Sequence, residues 1–121
     1  MQFEFDNSEP IYRQIAEQIE NTIVTGGFVE GEQIPSTTEI SKEFHINPAT
    51  VLKGMNMVVD RGLLEKRRGL GMFVSSGAQD KIRKEKRDHF YDQYVKSLVS
   101  EARSLNISEE ELINQIKRGF E

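Results

Sequence analysis

Apolar side chains recur every three or four residues near the start of the chain. They are Ile11, Tyr12, Ile15, Ile19, Ile23 and Val24. This spacing places them on one face of a helix, so the pattern predicts an amphipathic helix. We expect Asn7-Ser8 to cap its start, Pro10 to lie in its first turn and Gly26-Gly27 to end it.

A turn-rich linker from Glu30 to Pro35 follows and leads into a second, shorter helix. Its start has the pattern of a capping box, because the Ser36 hydroxyl can accept from the backbone N–H of Glu39 and the Glu39 side chain can accept in return. We expect this helix over residues 37–44. Its two large apolar residues, Ile40 and Phe44, lie four positions apart and therefore share the face that can pack on the first helix.

A third helix is predicted to begin at Asn47-Pro48 and to end near Arg61. Asparagine is a favoured N-cap, and proline is favoured in the first helical position because its missing N–H costs nothing there. Thr50 and Lys53 lie on one side of this helix, and apolar residues line the other side. Only a few residues separate the second and third helices, which is the spacing of a helix-turn-helix motif.

The hydrophobic period changes after the third helix. Residues 63–67 and 72–75 are predicted as short strands, and Arg68-Gly69-Leu70-Gly71 between them supplies the glycines of a tight reversal. The predicted fold class is therefore mainly α with a small β-hairpin. It consists of a domain over residues 1–76 in which a helix-turn-helix is followed by the hairpin, and a two-helix tail over residues 77–121.

The tail is predicted to divide into two amphipathic helices at Leu105-Asn106-Ile107-Ser108. Two apolar stripes of this length make a core too thin for independent stability, so we expect the tail to pack on a partner surface. The candidate interface residues are Phe90, Tyr91, Tyr94, Val95, Leu98, Val99, Leu112 and Ile116. A small-molecule effector of unknown chemistry near Tyr91, Tyr94 and Leu98 is the less favoured interpretation of the same region.

Composition narrows the class of protein. The 121 residues include no cysteine, which excludes disulfides, a thiol nucleophile and Cys-ligated metal centres, and favours a reducing cytoplasm. No signal peptide or membrane span is expected. The chain is acidic overall, with net charge −4, yet Lys66 to Arg87 contains eight basic and two acidic side chains. This run indicates either contact with a polyanion or an ordinary solvated face.

Catalytic and metal-binding patterns are weak. The two histidines are His45 and His89, and no nucleophile elbow or phosphate-binding glycine loop occurs. A metal site made of His89, Asp88 and Asp92 on one helix face is much less favoured than a surface polar cluster. We therefore expect no enzyme activity, no metal and no cofactor.

The order of helix, turn, helix and hairpin is typical of a module that reads duplex DNA. A helix fits the major groove and meets base edges with its N-terminal residues, and helix N-termini bind phosphates. Thr50 and Lys53 would then lie in the groove and Ser36 and Thr37 on a phosphate. The hairpin tip would follow an adjacent groove.

Four motifs occur in register over residues 8–75. They are Pro10-Ile11-Tyr12-Arg13-Gln14-Ile15, Gly31-Glu32-Gln33-Ile34-Pro35-Ser36, Asn47-Pro48-Ala49-Thr50-Val51, and Arg61-Gly62-Leu63-Leu64 with Arg68-Gly69-Leu70-Gly71-Met72-Phe73-Val74. Together they resemble the winged helix-turn-helix domain of GntR-family bacterial transcription regulators. The short tail is similar to that of the YtrA-type subgroup, in which two C-terminal helices dimerise the protein. The resemblance implies a homodimeric repressor on a pseudo-palindromic operator, in this subgroup often near genes for ABC transporters.

With the resemblance, the candidate contacts to double-stranded DNA are Ser36, Thr37, Thr38, Asn47, Ala49, Thr50, Lys53, Arg67, Arg68, Gly69 and Gly71. The chain departs from the family at three positions. The family commonly carries Arg at the positions of Thr38 and Lys53 and a polar or basic residue at Leu70. Since Arg reads guanine with a two-pronged fork that Lys and Thr lack, the operator sequence cannot be transferred from relatives. An alternative function, a protein-interaction adaptor whose winged helix does not bind DNA specifically, stays open.

Overall fold

The computed structural model describes residues 2–121. Its elements in chain order are α1 (Ile11–Val24), α2 (Thr37–Phe44), α3 (Pro48–Asp60), β1 (Leu64–Arg67), β2 (Gly71–Val74), α4 (Ala78–Asp88), a π-helical turn (Tyr91–Val95), α5 (Lys96–Ser104) and α6 (Glu109–Gly119). The strands form an antiparallel hairpin in which Leu64 pairs with Val74 and Arg67 with Gly71. The predicted fold class, mainly helical with one small hairpin and helices in the tail, is confirmed.

The chain forms two compact units that divide within α4, between Arg83 and Lys84. Ala78 and Ile82 are buried with the core of the first unit, so the first turns of α4 belong to it. The functional division into a DNA-binding domain over residues 1–76 and a dimerisation tail over residues 77–121 stays a prediction.

The centre of the first unit is the contact between α1 and α3. The apolar face of α1 is buried as its periodicity predicts, and Ile15 and Ile19 are fully enclosed. The two helices are in close contact at Gly54. A Cβ atom built on this glycine would lie 2.6 Å from the backbone oxygen of Tyr12 and 2.9 Å from the Cβ of Ile15. The absence of a side chain at residue 54 is therefore what allows this packing distance.

The start of α1 differs from the prediction. Pro10 occupies the N-cap position without a side-chain cap, and its carbonyl accepts from the N–H groups of Arg13 and Gln14. The expected cap, Asn7-Ser8, was wrong because the Ser8 hydroxyl and N–H both donate to the Asp6 carboxylate instead. These bonds close a local turn, a common alternative to capping for Ser and Asp side chains.

The linker before α2 is more ordered than a turn-rich sequence suggests. The N–H of Gly31 donates to the carbonyl of Val74, and the N–H of Ile34 donates to the carbonyl of Met72. The N–H of Val74 donates in return to the carbonyl of Glu32. The linker thus lies beside β2 and is joined to it by a bridge between Gln33 and Phe73.

An N-terminal arm crosses α1, a feature that the sequence did not predict. The ring of Phe3 stacks on Phe44 at the end of α2 with centroids 5.4 Å apart, and Phe5 meets both rings edge-on. The Gln18 side chain donates to the carbonyl of Glu4 and accepts from its N–H. The arm therefore joins α1 to the end of α2.

The second unit contains the π-helical turn, α5 and α6. The Ser108 hydroxyl accepts from the N–H of Glu111, so Ser108 caps α6 as its sequence predicts. Ala102 is buried, but the larger apolar side chains of this unit are mostly exposed. The most exposed are Phe90, Tyr91, Tyr94, Leu98, Leu105, Ile113, Ile116 and Phe120.

Candidate nucleic-acid interface

The start of α2 is fixed by the predicted capping box. The Ser36 hydroxyl accepts from the N–H of Glu39, and the Glu39 carboxylate accepts from the N–H of Ser36. The Thr37 hydroxyl donates to the sulfur of Met55 at 3.5 Å, which holds the first turn of α2 against α3. Thr38 is exposed on the same turn. A helix start with N–H groups and small hydroxyl side chains is suited to an anion such as a phosphate.

The start of α3 presents a mixed surface to solvent. Asn47 caps the helix by accepting from the N–H of Ala49 at 2.8 Å, with Pro48 in the first helical position as predicted. Ala49 and Lys53 are exposed, and Thr50 is half-buried. Leu52, which the motif analysis did not select, lies between them and is 40% exposed. Its exposed position among polar neighbours is the signal that could have found it.

The Lys53 ammonium is held above a ring of α1. Its Nζ lies 3.9 Å from the centroid of the Tyr12 ring, a cation–π contact made possible by the close approach at Gly54. A hydrogen bond with the Arg13 side chain and, second, the charge of Lys53 hold the pKa of Tyr12 below its ordinary value of 10.0. The contact fixes the direction of a side chain that would otherwise have many rotamers.

The lowered Tyr12 pKa gives a test of this arrangement. Arg13→Ala is expected to raise the pKa of Tyr12 the most and Lys53→Ala to raise it less, followed by NMR of the Tyr12 ring against pH. Because the pKa is lowered on folding, the ionised ring stabilises the fold only at alkaline pH, and this contribution is lost as the pH falls through the folded pKa. Lys42→Ala, a change on α2, is the control. Equal pKa values in all four proteins would contradict the contact.

The wing, which is the hairpin of β1 and β2 with the loop 68–70 between them, has a basic tip. The N–H of Leu70 donates to the carbonyl of Arg67 at 2.9 Å, and Gly69 has a φ of 76°, a turn conformation that favours glycine. The Arg67 guanidinium stacks over the Phe73 ring at 4.0 Å. Arg68 is exposed at the tip. The predicted basic tip is thus present, with one arginine directed along the sheet by an aromatic ring.

A side chain of the linker reaches this tip. Gln33 donates from Nε2 to the carbonyl of Leu70 at 2.6 Å. Gly71 has a φ of 124°, and a Cβ atom on it would lie 2.8 Å from the same Nε2. Gln33 is not among the predicted site residues, because nothing local to it indicates a partner 37 positions away.

The first unit therefore joins three elements that carry the predicted DNA contacts. Thr37 connects the start of α2 to α3, and Ile34 and Gln33 connect the linker before α2 to the wing. The assignment of these residues as DNA contacts stays a prediction.

A model of one protein family matches residues 11–74, and its description is bacterial regulatory proteins, gntR family. The match runs from the start of α1 to the end of the wing. The chain belongs to the GntR family. This GntR protein is thus a DNA-binding transcriptional regulator and not an enzyme. Within residues 2–121, no three His, Asp or Glu side chains come together where they could hold a metal ion.

Two relatives from Bacillus subtilis match this GntR regulator over most of their length. The uncharacterised HTH-type transcriptional regulator YhcF is 31% identical over 97% of this chain and 95% of YhcF. The HTH-type transcriptional repressor YtrA is 30% identical over 92% of this chain and 85% of YtrA. The resemblance to YtrA-type regulators is confirmed.

Two solved structures are similar to it. A GntR family transcriptional regulator from Listeria monocytogenes has a TM-score of 0.74 and 26% identity, covering 94% of this chain and 98% of that one. The DNA-binding domain of AraR in complex with operator ORX1 has a TM-score of 0.57 and 28% identity, covering 62% of this chain and 96% of that one. The second structure is thus that of a DNA-binding domain in complex with its operator.

The basic run of this GntR regulator is divided between two places. Lys66, Arg67 and Arg68 lie in the wing, but Lys81 donates from Nζ to the carbonyl of Arg61, at the C-terminal end of α3. The 13 residues of α3 span ~20 Å, so this end is far from the exposed start of the helix. The start of α4 is thus remote from Thr50 and Lys53, which favours the solvated-face interpretation for Lys81.

No helix within residues 2–121 combines the length and apolar character needed to cross a membrane.

Proposed function

We propose that this GntR regulator acts as a homodimeric repressor on a pseudo-palindromic operator. The observation that carries the proposal is the exposed, capped start of α3, with Lys53 held above the Tyr12 ring and the wing tied to the linker before α2. A helix start of this kind can enter the major groove, and a hairpin beside it can follow the neighbouring groove.

The residues have distinct proposed roles. Thr50 and Lys53 meet base edges in the major groove, with Asn47 and Ala49 beside them at the helix start. Ser36 and Thr38 bind a phosphate with their hydroxyl groups, and Thr37, whose hydroxyl donates to Met55, contributes its backbone N–H. Arg67 and Arg68 add positive charge near the backbone, and Gly69 and Gly71 let the wing tip approach closely.

The second unit supports the homodimer. Its exposed apolar side chains include Phe90, Tyr91 and Tyr94, which are between 56% and 60% exposed in the single chain. A stripe of aromatic residues this large is typical of a protein interface rather than of a free surface. Two copies would also present two recognition helices, which a genome-sized search for one site requires. Val95, Leu98, Val99, Leu112 and Ile116 are the other proposed interface residues.

Repression and the regulated genes are the finer parts of the proposal. The relative YtrA is named a repressor and is similar over most of both chains, which supports repression here. We further propose that the protein works in the cytoplasm and that its operon includes genes for an ABC transporter. A small-molecule effector is a second candidate occupant of the region near Tyr91, Tyr94 and Leu98.

A footprint of the purified protein on the DNA upstream of its own gene tests the proposal. Titration from low to physiological salt should leave a discrete protected site with two-fold symmetry, because base contacts survive when phosphate contacts weaken. Uniform, salt-sensitive binding without a footprint would favour the adaptor function instead. Reporter transcription that rises when the protein is removed would establish repression.

Lys53 gives the sharpest test of a base contact. Lys53→Ala is expected to weaken operator binding by about 1–3 kcal/mol and to change random duplex binding much less. Lys42→Ala, which removes an exposed lysine from α2, is the control for lost charge. An equal loss on operator and random DNA would make Lys53 a phosphate contact, and no loss on either would remove it from the interface.

A further inference from the structure

One backbone hydrogen bond, from the N–H of Leu70 to the carbonyl of Arg67, closes the tip of the wing. Between the paired residues Arg67 and Gly71, three residues form the loop, and both glycines of this region have positive φ. Glycine gives a loop many accessible conformations, so an isolated tip of this kind would be mobile. Ordering such a tip at the moment of DNA binding would cost conformational entropy and reduce affinity.

One side chain from outside the hairpin limits this freedom. Gln33 donates from Nε2 to the carbonyl of Leu70 at 2.6 Å, which joins the tip to a segment 37 residues earlier in the chain. Gly71 lies next to the same amide, and a Cβ atom built on this residue would lie 2.8 Å from Nε2 of Gln33. The amide and the glycine therefore fit each other, and the bond holds the loop at Leu70.

Gln33 is itself firmly held. Its backbone is bridged to Phe73 of β2, and the next residue, Ile34, donates to the carbonyl of Met72. The linker that carries Gln33 then continues into Ser36, the N-cap of α2. A single segment thus supports the wing tip at one end and starts the helix-turn-helix at the other.

We propose that Gln33 is a positioning residue for DNA binding, which sets the wing tip in its DNA-contacting conformation before the operator is met. Gln33 acts through the carbonyl of Leu70 and not by touching DNA. This inference rests on the proposed function, because it requires that the wing contacts the operator.

The test uses an isosteric change in the full-length protein. Gln33→Glu keeps the shape of the side chain but replaces the donating amide with a carboxylate, which cannot donate to the carbonyl of Leu70. Gln33→Ala removes the side chain without adding charge. Gln79→Glu is the matched control, because the Gln79 amide donates to the carbonyl of Val24 at 3.1 Å, away from the wing. Melting temperatures of all variants show which remain folded at the binding temperature.

Both Gln33 variants are expected to bind the operator ~3- to 10-fold more weakly, the effect of one hydrogen bond, and Gln79→Glu to bind as the wild type does. In NMR spectra of the free protein, the amide signals of Leu70 and Gly71 should broaden or move in the Gln33 variants. Combined with Arg68→Ala, the Gln33→Ala change should cost less than it does alone, because a wing that contacts DNA weakly gains little from being held.

Several results would overturn the inference. Wild-type affinity in both Gln33 variants would show that the bond does not prepare the wing. Full additivity with Arg68→Ala would show that Gln33 acts elsewhere. These outcomes differ from failure of the proposed function, in which the wild-type protein itself gives no discrete operator footprint.

Discussion

Gly54→Ala is expected to lower the free energy of unfolding by about 1–2 kcal/mol, although glycine-to-alanine changes within helices usually stabilise. Alanine gains about 1 kcal/mol in helix propensity, but overpacking usually costs roughly 1–3 kcal/mol, and a clash with backbone belongs to the upper part of that range, about 2–3 kcal/mol. Here the added methyl would lie 2.6 Å from the backbone oxygen of Tyr12, and neither helix backbone can give way locally. A larger residue such as valine should be worse.

Urea unfolding followed by circular dichroism, at one fixed protein concentration, measures this effect. Gly119→Ala is the control, because Gly119 ends α6 and a methyl group added there would have nothing within 4 Å. Its unfolding midpoint should stay the same or rise slightly. An unchanged or raised midpoint in Gly54→Ala would mean that α1 and α3 do not approach as closely as described.

Leu98→Asp is expected to convert the protein to a monomer and to weaken operator binding by ~100-fold or more. Leu98 is 44% exposed within the apolar stripe of the second unit, and a carboxylate buried in a dimer interface would be strongly unfavourable. In a dimer, binding of one subunit to its half-site raises the effective concentration of the other subunit at the second half-site, which increases affinity by a factor of ~100 to 10,000. A monomer lacks this gain. Tyr94→Asp should act in the same way.

Sedimentation velocity and operator titration measure the two parts of this result. Val29→Asp is the matched control, because Val29 is 58% exposed in a loop of the first unit and lies outside the tail. It should remain dimeric and bind normally. A Leu98→Asp protein that is still dimeric would place the interface elsewhere, and a monomer with full affinity would separate dimerisation from operator recognition.

Features that depend on neighbouring residues were predictable from the sequence. The capping box of Ser36 and the cap of Asn47 are confirmed because each bond closes within three residues of its cap. The buried face of α1 follows from its helical period. The predicted cap at Asn7-Ser8 is wrong because the Ser8 hydroxyl and N–H donate to the carboxylate of Asp6 instead.

Features that depend on distant residues were not predictable in this way. The sequence of the linker predicts turns. Its hydrogen-bond partners are in β2, about 40 positions later in the chain, so its ordered conformation could not be predicted from neighbouring residues. From the sequence alone, Gly54 is only a residue of low helix propensity in α3. The structure shows that α1 leaves no room for a side chain at this position. For the candidate site, the motifs pointed to Lys53 and the wing glycines, but the Tyr12 ring and the Gln33 amide that fix them needed the three-dimensional arrangement.

The N-terminal arm changes what counts as the domain. The family match begins at residue 11 and ends at residue 74. Phe3 and Phe5, which precede this range, pack on Phe44 inside it. Ala78 and Ile82, which follow the range, are buried in the same core. A fragment cut at the family boundaries would expose all of these contact surfaces to water. The segment that the family shares is therefore shorter than the unit that buries its apolar side chains, so a stable fragment of this domain needs residues on both sides of it.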